Sequence, residues 1–144
     1  MRIDALSEVR ELVALQEMLI ASLPQGEGAG GHAGVSLAGL ARTGEVLLGT
    51  DSWTYRVHGA GVLFQHGSTG RQVDVHRRPG RPDLFDSWRL RTYFGSLGRR
   101  GVRLVEREIG SKGQPLGMAI DLLLKGWLEA GIVIKDEGSY RLAE

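Results

Sequence analysis

His58, His66 and His76, three of the four histidines in the chain, fall with Asp74 inside the stretch VHGAGVLFQHGSTGRQVDVHRR at residues 57–78. Imidazoles and a carboxylate at this density suggest two kinds of chemistry. A zinc centre needs three or four protein ligands converging on one point, with nitrogens about 2.0–2.1 Å from the ion. An acid–base pair needs only two groups, and Asp74 could orient His76 in that way. Nucleophilic catalysis has less to draw on, because the chain contains no G-x-S-x-G elbow and Ser68 and Thr69 read as turn residues.

The strands that carry these groups decide which of them meet. With Gly67-Ser68-Thr69-Gly70 as the loop, residues 53–66 and 71–77 form an antiparallel hairpin. His66 then lies opposite Arg71, Phe64 opposite Val73 and Val62 opposite Val75, which gathers the large apolar side chains on one face. The other face pairs Gln65 with Gln72, Leu63 with Asp74 and Gly61 with His76. In this register Asp74 and His76 share a face, while His58 and His66 point to the opposite one. A bulge at Gly59-Ala60-Gly61 would reverse the parity of His58 and bring it across. Other third ligands would have to come from Asp51, Asp86 or His32, so spacing alone assembles no metal site, and neither metal nor cofactor is expected.

Charge is uneven along a chain whose net value is only +1. Residues 71–107 hold ten arginines, no lysine and four acids, so this segment is +6 between flanks of −3 and −2. Arginine's planar fork suits carboxylates and phosphates, and a solvated surface is the plain alternative. Basic groups available to RNA lie at Arg77, Arg78, Arg81, Arg89, Arg99 and Arg100, with Trp88 and Tyr93 close by in sequence; both aromatics read as core.

The surrounding pattern predicts an α+β fold in a single domain over residues 1–144. Residues 4–22 form an amphipathic helix ended by Pro24. Residues 24–35 read as a flexible glycine-rich loop. Its Gly26-x-Gly28-x-x-Gly31 string follows a helix and a proline, not the strand that a dinucleotide site requires. A short helix is expected from Ser36 to Arg42, stopped near Gly44. Asp83 and Asp86 form an approximate capping box for a helix over 84–98, and residues 101–109 alternate as a possible strand. Pro115 and Gly131 bracket the last helix, and 132–135 and 140–143 form a C-terminal hairpin. That helix and hairpin look superficially like the end of a winged-helix domain. The helix carries an acidic stripe and the presumed wing reads Lys-Asp-Glu-Gly-Ser, so duplex phosphates would be poorly met.

One resemblance spans residues 51–95. It is carried by Trp53, Tyr55, His58-Gly59-x-Gly61, Val73-Asp74 and the run Gly80-Arg81-Pro82-Asp83-x-Phe85-Asp86-x-Trp88-Arg89-Leu90. These residues resemble an uncharacterised family of small bacterial proteins, some of them candidate immunity proteins beside polymorphic toxin genes. The resemblance implies a small cytoplasmic protein-binding module that neutralises a toxin by direct contact, and not an enzyme. The partner-binding residues expected on this reading are Asp74, His76, Arg77, Arg78, Arg81 and Arg89. A nucleic-acid-binding regulator using the arginines of 77–107 is the alternative, and a metal-assisted hydrolase at Asp74 and His76 is the second. The chain has no cysteine and no run of membrane-spanning length, and its first residues lack the pattern of a signal peptide, so a cytoplasmic protein with no membrane partner is expected.

Overall fold

A computed structural model of the chain describes residues 4–24, 40–76 and 80–144. Its elements run α1 (Ala5–Ser22), β1 (Thr43–Leu48), β2 (Asp51–His58), β3 (Gly61–His66), β4 (Gln72–His76), α2 (Ser87–Ser96), α3 (Arg99–Ile109), α4 (Leu116–Glu129), β5 (Val133–Asp136) and β6 (Ser139–Leu142). Four strands form an antiparallel meander in the order β1-β2-β3-β4, and β5-β6 is a separate two-stranded sheet. The architecture is α+β, with the N-terminal helix and the C-terminal hairpin in their expected places. The glycine string at 26–31, His32, Arg77 and Arg78 lie outside the described residues, as does most of the short helix expected at 36–42.

Helix α1 starts where Asp4 caps it, its carboxylate accepting the Ser7 N–H at 2.8 Å. The helix packs on the meander against β1 and β4. Val9, Leu12, Leu15 and Leu19 join Trp53, Tyr55, Val62, Phe64, Val73 and Val75 in one apolar core. Each side chain of this size, fully buried, contributes about 1.5–3 kcal/mol, so this face sets the register of the sheet.

The expected pairing of β3 with β4 is the one observed, including Phe64↔Val73, Val62↔Val75 and Leu63↔Asp74. Residues 53–66, however, are two strands and not one. The chain reverses at Gly59-Ala60, so that β2 pairs antiparallel with β3 and Val57 meets Val62. A further strand, β1, precedes them and pairs with β2. It begins at Thr43 and takes in the Gly44 expected to stop the short helix, and residues 40–42, where that helix is expected to finish, are not helical.

Residues 101–109 are helical, contrary to the alternating-strand reading. Gly101, Leu104 and Val105 are buried at helical spacing. A Cβ at Gly101 would lie 2.1 Å from the Phe94 carbonyl, so glycine is what lets α3 approach the end of α2. Helix α2 also begins later than expected, at Ser87, with Asp86 as its cap and accepting the Arg89 N–H at 2.9 Å. Phe85, left outside that helix, makes two backbone hydrogen bonds with Tyr140, at 2.7 and 2.9 Å, and ties the C-terminal hairpin to the body. Helix α4 follows Pro115 and ends before Gly131, whose φ is 75°. Among the described residues, no helix is long and apolar enough to cross a membrane.

Candidate functional site

The two-residue reversal at Gly59-Ala60 settles which histidine reaches Asp74. Register aligns His58 with Gly61 and Gly61 with His76 across three strands, so His58, His76 and Asp74 all stand on the polar face of the sheet. No bulge is needed. His58 Nε2 lies 2.9 Å from Asp74 Oδ1, and Asp74 is 3% exposed.

The second nitrogen of His58 is also engaged. The Ala60 N–H donates to His58 Nδ1 at 3.2 Å, which leaves the ring proton on Nε2 to be donated to Asp74. The imidazole therefore links the turn to β4 through both of its nitrogens. General acid–base work at His58 would first have to break one of these bonds.

Arg89 closes the network from below. It is buried, its Nη1 donates to Asp86 Oδ2 at 2.6 Å and its Nη2 to the Ala60 carbonyl at 2.6 Å. Such a fork holds the first turn of α2 against the β2–β3 reversal. Gly61 makes room for it, since a Cβ there would fall 1.9 Å from the Val75 carbonyl and 3.2 Å from Arg89 Nη2. The chain of contacts thus runs Asp74, His58, Ala60, Arg89, Asp86, and joins two strands, a turn and a helix.

His66 repeats the device at the next turn, on the other face. Its Nδ1 accepts the Thr69 N–H at 3.1 Å, with Thr69 Oγ1 at 2.9 Å, and its Nε2 lies 3.4 Å from Asp51 Oδ1. The ring packs edge-on to Trp53 at 4.8 Å between centroids. Each histidine closes a strand and clasps the turn that follows it.

Of the six residues expected to bind a partner, Asp74, His76 and Arg89 are gathered around the Gly59-Ala60 reversal. Arg81 lies elsewhere, its guanidinium bonded to both oxygens of Asp83 at 3.1 Å and to Asp136 Oδ2 at 3.2 Å. The Arg81 hydrogen bonds hold the Asp83 carboxyl below its usual range. Among the described residues, no three His, Asp or Glu side chains gather as a metal-binding group.

Sequence reasoning missed Trp88. The helix buries Arg89, Leu90, Tyr93 and Phe94, and Trp88 falls on the opposite side, 57% exposed. The Arg91 guanidinium lies 5.6 Å from its ring centroid. Both border a shallow groove of about 400 Å³ that also takes in Gln72, Thr92, Gly95 and Ser96. Helical spacing from Leu90, Tyr93 and Phe94 was the signal that could have placed Trp88 outside.

A family model described as a domain of unknown function, DUF6896, matches residues 5–140, and the chain belongs to that family. No curated protein and no solved structure matches the chain.

Proposed function

We propose that this DUF6896 protein is a small protein-binding module of the bacterial cytoplasm, an immunity protein that neutralises a toxin by direct contact. The observation that carries this reading is the fate of the run Gly80–Leu90. Phe85 and Leu90 are fully buried, Arg81 and Asp83 pair with each other, and Asp86 caps α2 and holds Arg89. Trp88 is the large side chain of that run left without a role in the fold. An exposed tryptophan stacked with an arginine is the composition of a binding hot spot, and it rests on a helix anchored by the buried network. Asp74 and Arg89 then act as supports for the binding surface, with Trp88 and Arg91 as its contact groups.

The test is co-purification with the product of a neighbouring toxin gene, together with protection of cells that express that toxin. Trp88→Ala is expected to weaken the complex by about 2 kcal/mol, roughly thirtyfold, with the melting temperature unchanged. Absence of both complex and protection would remove the reading. A complex indifferent to Trp88 would move the contact to another face.

A further inference from the structure

The arginine-rich segment divides sharply once the ion pairs are known. Arg71 lies 3.7 Å from Glu11, Arg81 pairs with Asp83 and Asp136, Arg89 with Asp86, and Arg100 with Glu8. Arg91 stacks on Trp88. Among the described arginines of the segment, Arg99, Arg103 and Arg107 remain. All three are exposed, and no carboxylate of the described residues lies within ion-pair distance of them.

Their spacing of four places them along one solvent face of α3, about 6 Å apart along its axis. The stripe ends in a groove of about 650 Å³ lined by Arg103, Glu106, Arg107, Gly110, Ser111 and Lys112. Glu106 accepts the Gly113 N–H at 2.9 Å and keeps its charge, so the lining cations Arg103, Arg107 and Lys112 outnumber the carboxylate three to one. Glu108 is engaged likewise, by Trp127 Nε1 at 3.0 Å.

We infer that α3 is a rail for the phosphate backbone of nucleic acid. Protein partners are usually met by an apolar or aromatic centre with charges at the rim, and this face has charges without such a centre. Guanidinium forks suit phosphate oxygens. The contacts are assigned to phosphates, which present the same oxygens whatever the sequence, so binding is expected to vary little between sequences. This surface is separate from the Trp88 groove, and its occupancy does not depend on a toxin.

The experiment titrates the full chain against a labelled mixed-sequence duplex at increasing salt, with anionic phosphatidylserine vesicles and poly-glutamate as parallel probes. Four phosphate contacts, from the three arginines and Lys112, give a slope of log K against log salt of about −3.5, and a loss on the order of a hundredfold when salt is raised fourfold. The triple variant R99Q/R103Q/R107Q is expected to retain its melting temperature while the slope shrinks to about −1. The proposal is overturned by absence of binding at low salt. A slope unchanged in the triple variant overturns it too, as does capture by vesicles or poly-glutamate without capture of the duplex.

Discussion

His58 donates to Asp74 across 2.9 Å, and it does so from the far side of a two-residue reversal that also gives His58 its second partner, the Ala60 N–H. A carboxylate 3% exposed depends on that donor. The pair therefore governs the stability of the turn on which Arg89 rests.

Removing the donor strands the acceptor. His58→Ala is expected to cost about 2–3 kcal/mol in urea denaturation at neutral pH, because a buried charged group loses a hydrogen bond. Adding Asp74→Asn should cost less than the sum of the two single changes, with a coupling of about 1–2 kcal/mol. Strict additivity in that cycle would mean that the two side chains do not support each other.

Two neighbouring glycines should respond in opposite ways. Gly61→Ala drives a Cβ toward the Val75 carbonyl at 1.9 Å and is expected to cost about 3 kcal/mol or more. Gly59→Ala meets nothing within 4 Å and should stay within about 0.5 kcal/mol of the parent. Equal thermal shifts in the two variants would contradict the close approach of β3 to β4 and Arg89.

The buried fork of Arg89 reaches two acceptors at once, Asp86 Oδ2 and the Ala60 carbonyl. Arg89→Ala should destabilise by about 3 kcal/mol, leaving both without their donor. Arg89→Lys should recover little of this, since one ammonium cannot reproduce the planar geometry. Full recovery by lysine in a denaturation experiment would argue that charge alone is needed there.

Tyr93 predicts the alkaline limb of stability. Burial first, and the Glu8 carboxylate that accepts its hydroxyl at 3.0 Å second, push the Tyr93 phenol above its ordinary value of 10.0. The unfolded phenol then releases its proton at a lower pH than the folded one. Above about pH 10 the unfolded state binds fewer protons, so this contribution to stability is present below that pH and is lost as pH rises. Tyr93→Phe should cost about 1 kcal/mol at neutral pH and should flatten the decline that sets in above about pH 10. A decline as steep in the variant as in the parent would assign it to other groups.

The parts of the fold that the sequence made legible were those where one side is buried. The β3–β4 register followed from Val62, Phe64, Val73 and Val75, and α1 and α4 from their apolar stripes and the residues that stop them. Two failures share a cause, which is that short segments satisfy more than one period. Residues 101–109 fit strand alternation until the burial of Gly101, Leu104 and Val105 is known. Gly59-Ala60 fitted a bulge as well as a turn, and both carry His58 to Asp74. Burial of Arg89 was not legible, because nothing local shows that a carbonyl from the β2–β3 turn will sit over α2. Ion pairing was hidden for the same reason: Glu8 and Arg100, far apart in sequence, meet only when α1 and α3 pack.

The single backbone bridge between Phe85 and Tyr140 has a kinetic consequence. Each strand of the meander pairs with the strand just before it, so β1 to β4 can zip in turn with little chain entropy lost at each step. The Phe85–Tyr140 bridge instead closes a long loop that contains α2, α3 and α4, so forming it costs more chain entropy than any single step of the meander. The C-terminal hairpin is thus expected to dock late, and it shares the task of holding the segment leading into Trp88 with Gln16 of α1, whose amide donates to the Pro82 and Leu84 carbonyls.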